Sequence, residues 1–179
     1  KKRQIDAYNQ AIKEYKTQYK YMMFFDADEF LTADKLLEGK TLFDIIDSIF
    51  KADKLIACLG INWLIFGSSG LIDDPECGVI DAFTNAASDD FEWNQLVKSC
   101  VIPYKIVGWV NPHLPLQAFG LKKVNLDGRK IVRPRNKLPN RRDIRLYHYF
   151  VKNKKHFQEK VDKGMADRNA KRTMDEFYY

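Results

Sequence analysis

The chain carries YMMFF at residues 21–25, followed directly by DADEF at residues 26–30. The apolar run is too short for a helix and ends at acidic residues, which predicts a strand buried on both faces of a sheet. Before it, from Gln4 to Tyr19, apolar residues recur every three or four positions, as in an amphipathic helix. A helix that leads into a buried strand indicates a parallel α/β sheet.

Further along the chain, helix and strand continue to alternate and then give way to shorter strands. Thr41 is the expected N-cap of a second helix, with Asp44 three residues later as its partner in a capping box. The other predicted elements are a strand at 55–63, two short strands within 96–110, a hairpin at 121–132, a strand at 144–151, a helix capped by Asn153 and ended by Gly164, and a last short helix with a capping box at Thr173. The expected fold class is α/β, a mixed sheet flanked by helices.

Length and composition limit the possible architectures. The 179 residues suffice for one sizeable core, so we expect residues 1–179 to form a single domain. Hydrophobic residues make up 45% and charged residues 30%, which excludes a disordered, collagen-like or disulfide-scaffold protein. Cys58, Cys77 and Cys100 are scattered without metal-ligand spacing, which favours reduced thiols and a cytoplasmic location. No run approaches the roughly 20 apolar residues of a membrane span.

Charge is divided unevenly along the chain. Residues 1–119 contain 12 Lys and Arg against 17 Asp and Glu, a net charge of −5, whereas residues 120–179 contain 18 against 7, a net charge of +11. A basic third beside an acidic two-thirds predicts that an anionic ligand is held near the join. The alternative is a basic face that is merely solvated.

The acidic residues after YMMFF are the strongest sequence signal for a site. Open α/β sheets place their ligands at the carboxyl ends of strands, where Asp26, Asp28 and Glu29 are expected to lie. Their mutual repulsion calls for a cation, and Mg²⁺ or Mn²⁺ prefers oxygen ligands. Side chains alternate along an extended segment, so Asp26 and Asp28 are expected to share one side and Glu29 to face the other. The alternative is an acidic turn that only ends the strand.

Other residues suggest roles around the same ligand. His148, on a late strand rich in aromatic residues, is a candidate third metal ligand, although a lone histidine there is commonly part of the core. Lys152, just before a predicted helix N-terminus, is a candidate phosphate contact. The loop WLIFGSSG at 63–70 combines aromatic faces with small residues, which suits a sugar. Asp90 is a candidate general base, with helix capping by Asp89 or Asp90 as the alternative.

Five segments of the chain resemble glycosyltransferases of the GT-A type, closest to the bacterial family-two-like proteins whose pattern also occurs in family ninety-two. The matching stretches are QIDAYNQA at 4–11, FFDADEFL at 24–31, WLIFGSSG at 63–70, VKSCVIP at 97–103 with His113 after it, and YHYFVKNKKHFQEKVDKG at 147–164. They cover nearly the whole chain. A lone D-x-D pattern is weak, whereas five segments in the same order are a specific match.

The resemblance implies a metal-dependent hexosyltransferase, of the inverting kind. It would move a sugar from a nucleotide-sugar, by preference a UDP-sugar, to a hydroxyl of a glycan or lipid-linked acceptor in cell-surface polysaccharide biosynthesis, with Mn²⁺ or Mg²⁺ on the diphosphate. Carried over residue by residue, the metal ligands are Asp26, Asp28 and His148, and the donor-binding residues are Asp26, Gln4 and Lys152. The acceptor-binding residues are Trp63, Phe66, Gly67, Ser68, Ser69, Gly70 and His113. An inverting displacement needs one carboxylate as general base, for which Asp90 is the first candidate of this chain, with Asp89 and Glu92 as alternatives.

The chain departs from the family pattern in two places. Lys152 is followed by Asn153 where the family usually has Lys-Ser, which puts a hydroxyl contact to phosphate in doubt. Family members also carry further strands before the helix that starts at Gln4, and those strands hold much of the nucleotide pocket. We therefore expect the chain to be the C-terminal portion of a GT-A domain that lacks its N-terminal nucleotide-binding strands.

Two other functions remain open at this level. A nucleic-acid-binding module would use the basic residues of 122–145, with Tyr147 and Tyr149 as stacking partners, but it leaves the acidic cluster without a role. A non-catalytic sugar-binding fragment would keep only the acceptor cleft. The transferase interpretation has no nucleic-acid partner, and in it the basic third has two alternative roles, contact with anionic lipid headgroups at the inner face of the membrane or binding of the acceptor's phosphate.

Overall fold

The computed structural model describes residues 3–33, 39–137, 144–165 and 171–178. Within them the protein is mixed α/β, which confirms the predicted class. The helices are α1 (Arg3–Tyr15), α2 (Leu42–Ala52), α3 (Val79–Ala82) and α4 (Lys154–Lys163). The strands are β1 (Met22–Met23), β2 (Glu29–Thr32), β3 (Ile56–Ile65), β4 (Val97–Val101), β5 (Ile106–Trp109), β6 (Pro115–Gln117), β7 (Lys122–Val124) and β8 (Arg145–His148). No helix in these ranges has the length and apolar composition needed to cross a membrane.

β3 is the centre of the main sheet, and all ten of its residues are buried. The strand order is β1-β4-β3-β8-β2, with β7 also paired to β3, while β5 and β6 form a separate two-stranded sheet. β7 and β8 run parallel to β3, whereas the β3–β4, β1–β4 and β2–β8 pairs are antiparallel. The sheet is therefore mixed, which confirms the predicted fold class, whereas the parallel sheet indicated by the first helix and strand was wrong.

The apolar run at 21–25 behaves differently from the strand that its composition predicts. Only Met22 and Met23 form β1, both are half-buried, and the strand pairs with β4 alone at the edge of the sheet. Phe24 stacks on Tyr8 of α1, with ring centroids 4.0 Å apart. Aromatic packing against α1 therefore accounts for Phe24, while Met22 and Met23 pack against the core clusters from the edge of the sheet.

Two helices cover the sheet through separate core clusters that share β3. From α2, Ile45, Ile46 and Phe50 pack in one cluster with alternate β3 residues such as Leu59 and Ile61. From α1, Ile5, Tyr8 and Ile12 join a second cluster that includes Ala57, Val101 and Trp109. A strand with helices on its core faces reads as a continuous apolar run, which explains the composition of β3.

Local capping predictions are largely confirmed. Thr41 Oγ1 accepts a hydrogen bond from the backbone N–H of Asp44, and the Asp44 carboxylate accepts one from Thr41 N–H at 2.8 Å, which completes the capping box. Asn153 caps α4 by accepting from the N–H of His156 at 2.7 Å, and Gly164 ends that helix with a φ of +70°. The capping box predicted at Thr173 is wrong, because Met174–Phe177 is a 3₁₀ turn without a side-chain cap.

The hairpin predicted at 121–132 forms in part. Its turn is present, but its first strand, β7, pairs with β3. An isolated bridge joins Val124 to Lys130, and Asn125 Oδ1 accepts from the N–H groups of Asp127 and Arg129 inside the turn. Gly128 has a φ of +74°, which suits glycine. β7 itself pairs in parallel with β3, so the turn is attached to the main sheet.

Candidate functional site

The acidic motif forms a closed turn between β1 and β2. The N–H of Glu29 donates to the carbonyl of Asp26, and the N–H of Asp26 donates to Oε2 of Glu29, both at 3.0 Å. β2 then pairs with β8 in a register that sets Glu29 opposite His148, and Tyr149 N–H donates to the carbonyl of Asp28 at 2.9 Å. The β2–β8 pairing is thus what brings the motif to the histidine.

A cleft of about 730 Å³ opens above this turn. Its walls include six of the residues predicted from the sequence: Gln4, Asp26, Asp28, Trp63, His113 and His148. They also include three cations that had no predicted role: Lys160, Lys163 and Arg172. The structure therefore gathers the predicted donor and metal residues, except Lys152, together with a basic wall from the C-terminal third.

Asp28 lies between an imidazole and an ammonium group. Its Oδ2 accepts a hydrogen bond from Lys160 Nζ at 3.0 Å, and its Oδ1 lies 3.5 Å from His148 Nε2. Burial alone would raise the pKa of Asp28, but the hydrogen bond and charge of His148, followed by those of Lys160, outweigh it and hold that pKa well below its usual range. Asp28 is therefore a carboxylate at neutral pH.

Lys160 is fixed by more than its ion pair. Its Nζ also donates to the carbonyl of Phe150 at 2.7 Å and lies 5.1 Å from the centroid of the Phe150 ring. Arg172 approaches the same ring, with Cζ 4.5 Å from the centroid. Burial lowers the pKa of Lys160, although the charge of Asp28 acts in the opposite direction. Two cations thus meet at one aromatic wall of the cleft.

Asp26 is held in a different way, by a buried lysine. Its Oδ1 accepts from Gln4 Nε2 at 2.7 Å, and its Oδ2 accepts from Lys98 Nζ at 3.0 Å. The Lys98 side chain is only 1% exposed, and its Nζ also lies 3.7 Å from Oε1 of Glu29. Burial alone would lower the pKa of Lys98, but Glu29 and Asp26 outweigh it and raise that pKa. Lys98 therefore supplies much of the positive charge that the acidic motif needs.

Glu29 lies beneath the cleft with no exposed side-chain surface. Asp26 and Asp28 both line the cleft, but the motif is a turn and not an extended segment, and Glu29 shares Lys98 with Asp26 instead of facing the opposite way. Burial raises the pKa of Glu29 to about 7, the charge of Asp26 adds to the effect, and Lys98 opposes it. Oε1 of Glu29 has no hydrogen-bond partner within the described ranges.

Trp63 separates the two histidines of the cleft. Its ring centroid lies 4.3 Å from that of His148 and 5.1 Å from that of His113. His113 Nδ1 is 3.1 Å from the carbonyl oxygen of Val97, and burial lowers the pKa of His113 to about 4, so its imidazole is neutral at pH 7. The whole Trp63 residue is 6% exposed. Trp63 thus orients the histidines and leaves little ring surface for a sugar.

Several predicted residues lie away from this cleft. Phe66 is buried against the rings of Tyr147 and Tyr149, and Ser69 Oγ accepts from the N–H groups of Thr84 and Asn85. The predicted acceptor residues Gly67, Ser68 and Gly70 belong to the same loop, and of these Gly67 lines a second cavity.

Lys152 and Asp90 are also outside the walls of the large cleft. Lys152 adopts a φ of +54° in the connection from β8 to α4. Asp90 is exposed and accepts from Ser88 Oγ at 2.6 Å, and this hydrogen bond lowers its pKa. Neither position contacts the acidic turn through a hydrogen bond or ion pair that the described structure records.

Two of the basic residues that the sequence analysis did not identify, Lys98 and Lys160, could have been recognised from their positions in the sequence. Lys98 interrupts the apolar strand VKSCV, and a lysine within a buried strand is rare unless it is paired. Lys160 follows the buried Phe157 by three positions on α4, so both lie on the inner face of that helix. Arg172 follows a segment outside the described ranges, and its sequence context gives no comparable signal.

The donor set at Asp28 fits a divalent cation in part. Asp28 Oδ1 and His148 Nε2 are 3.5 Å apart, close to the roughly 3 Å that separates neighbouring ligands around Mg²⁺. Both oxygens of Asp26 already accept hydrogen bonds. Among the described residues, no group of three or more His, Cys, Asp or Glu side chains is arranged to hold a metal ion. Asp28 and His148 are therefore the best-placed protein ligands.

Comparison of the chain with protein-family models gives no match, and comparison with curated proteins gives none either.

Proposed function

We propose that the chain is part of a GT-A type glycosyltransferase that binds a nucleotide-sugar in the 730 Å³ cleft. The sugar passes to a hydroxyl of a glycan or lipid-linked acceptor. One observation carries the proposal: a single cleft brings together Asp28, His148, Lys160 and Arg172. Its volume lies within the range of about 300–1,000 Å³ that is usual for small-molecule sites.

The mixture of charges in the cleft favours a diphosphate that arrives with a cation. Lys160 and Arg172 suit phosphate oxygens, and the guanidinium of Arg172 can offer two parallel N–H donors. Carboxylates such as Asp26 and Asp28 repel phosphate unless positive charge lies between them. A ligand that combines phosphate with a divalent ion satisfies both sets of residues, whereas phosphate alone satisfies only one.

Each residue then has a distinct role. Asp28 and His148 would hold Mn²⁺ or Mg²⁺, and the bound ion would offset the charge that develops on the departing nucleoside diphosphate. Lys160 and Arg172 contact the diphosphate from the basic wall and stabilise the same charge. Gln4 and Asp26, which is held by Lys98, also line the cleft and would contact the donor. Asp90, the general base proposed from the sequence, lies outside the cleft walls and accepts a hydrogen bond from Ser88, so its role as base rests on the sequence alone.

The test is calorimetric titration of UDP with and without Mn²⁺ into the wild-type chain, Asp28→Asn and the matched control Asp6→Asn. Asp6 makes the same chemical change on the exposed side of α1. We expect Mn²⁺-dependent binding that is lost in Asp28→Asn and retained in Asp6→Asn. Equal binding by wild type and Asp28→Asn would refute the role of Asp28, and absence of binding to UDP, GDP, CDP and ADP would refute the proposal for this chain.

A further inference from the structure

A second cavity, of about 350 Å³, lies beside the cleft. Phe150 belongs to the walls of both spaces. The lining of the second cavity also includes the half-buried rings of Phe91, Trp93 and Phe177 and the polar side chains of Ser88 and Glu176, beside small and aliphatic residues. We propose that this cavity binds a pyranose ring, and that the ring belongs to the acceptor glycan.

The lining has the chemistry that recognises a sugar. Phe91, Trp93 and Phe150 form a continuous aromatic wall, with centroids 6.2 Å apart for Phe91 and Trp93 and 5.1 Å apart for Trp93 and Phe150. Such faces pack well against the C–H surface of a pyranose ring. The carboxylate of Glu176 and the hydroxyl of Ser88 supply hydrogen-bond partners for the sugar hydroxyls. Ser88 already donates to Asp90 and Glu176 already accepts from Arg172, and the oxygens of both side chains keep capacity to accept from a sugar hydroxyl.

Glu176 is pre-positioned for this role. Its Oε2 accepts a hydrogen bond from Arg172 Nη1 at 3.2 Å, and the side chain is 26% exposed. A carboxylate can accept several hydrogen bonds, so the contact with Arg172 leaves capacity for a sugar hydroxyl. Because its geometry is fixed before binding, less conformational entropy is lost when the ligand arrives.

The position of the cavity connects it to the donor cleft. Arg172 lines the cleft, its partner Glu176 lines the cavity, and the Phe150 ring stands between the two spaces. A sugar in the cavity therefore lies next to a ligand in the cleft, as acceptor and donor must. Assignment of the sugar to the acceptor rests on the proposed function, whereas sugar binding itself does not.

The inference moves the main acceptor contact away from the position expected from the sequence. Trp63 is 6% exposed and packed between two histidines, whereas Trp93 is half-buried and lines an open space. Gly67, in the loop predicted to bind acceptor, does line the cavity. In this inference, Gly67 is the one residue of that loop that would lie beside the acceptor, next to an aromatic wall that the sequence did not single out.

The test is saturation-transfer NMR of the whole chain with methyl pyranosides of glucose, galactose, mannose and N-acetylglucosamine. We expect at least one to bind in the millimolar range and to bind about tenfold more weakly to Trp93→Leu, since one stacking face is lost. Glu176→Gln should also weaken binding, and it leaves the aromatic wall intact. The matched control Asp175→Asn, at the exposed neighbouring position, should bind as wild type does.

Several outcomes would overturn the inference. Absence of binding by every pyranoside would do so, as would equal binding by wild type, Trp93→Leu and Glu176→Gln. Displacement of the pyranoside by inorganic pyrophosphate would place the sugar in the donor cleft and not in the cavity. Failure of UDP to bind while the pyranoside binds at Trp93 would remove the proposed transferase function and leave the sugar site standing, so the two proposals fail separately.

Discussion

Substitution of Glu29 by glutamine tests the buried charge network beneath the cleft. The Glu29 carboxyl has no exposed side-chain surface, and burial raises its pKa from 4.5 to about 7. The folded protein therefore binds this proton more tightly than the unfolded chain does. The stability that Glu29 contributes is present in full below about pH 4.5 and is lost as the pH rises through about 7.

The size of the effect follows from the two pKa values. Proton linkage between 4.5 and about 7 gives a loss of about 2.5 kcal/mol in the free energy of unfolding between pH 5 and pH 8. Glutamine has no proton to lose, so Glu29→Gln should lack this loss. A pH-independent cost of the substitution, from changed hydrogen bonds, cancels because the comparison is made across pH.

The assay is urea unfolding followed by tryptophan fluorescence at pH 5, 6.5 and 8. We expect the free energy of unfolding of Glu29→Gln to gain about 2.5 kcal/mol on that of wild type between pH 5 and pH 8. Glu76→Gln makes the same chemical change at an exposed position and should track wild type. Parallel curves for wild type and Glu29→Gln, or a gain of the opposite sign, would show that Glu29 keeps an ordinary pKa.

Two further substitutions test the packing around the site. Lys98→Met removes the buried cation from Asp26 and Glu29, and we expect a loss of about 3–5 kcal/mol in the free energy of urea unfolding at pH 8. The loss should be smaller at pH 5, because Glu29 is protonated there. Equal losses at both pH values would contradict this expectation. Gly60→Ala places a Cβ 2.4 Å from Ile131 Cδ1, so thermal unfolding should report a loss of about 1–3 kcal/mol. Ile131→Val removes that atom and should restore part of the stability; a Gly60→Ala variant as stable as wild type would refute the clash.

Features fixed by neighbouring residues could be predicted from the sequence. The capping box at Thr41 and the cap at Asn153 depend on groups within three residues, and both were confirmed. The burial of β3 followed from a long apolar run between polar segments. Thr173 has the right spacing for a capping box. Its segment is a short 3₁₀ turn, however, in which a side-chain cap stabilises less structure than it does in a full helix.

Features that depend on residues far apart in the sequence could not be predicted from it. The apolar run at 21–25 satisfies a buried strand and an aromatic contact with α1 equally well, and only the pairing of β1 with β4 at the sheet edge decides between them. Local sequence likewise does not say which strand lies beside β2. The antiparallel pairing of β2 with β8 determines that Asp28 meets His148, so residue chemistry could suggest that the two share a ligand but could not show how they meet.

The two aspartates of the motif, Asp26 and Asp28, are held by lysines that differ in burial. Lys98 is 1% exposed, and moving it would leave the carboxylate of Glu29 buried without a cation, so Asp26 keeps its lysine. Lys160 is 25% exposed, and an ammonium group has three donors, so its Nζ can offer one to a phosphate while it keeps the hydrogen bond to the carbonyl of Phe150. The spacing of the motif predicted a clamp of two aspartates on one metal ion. The difference in burial of the two lysines instead favours Asp28 as the ligand, with Asp26 as a fixed hydrogen-bonding group.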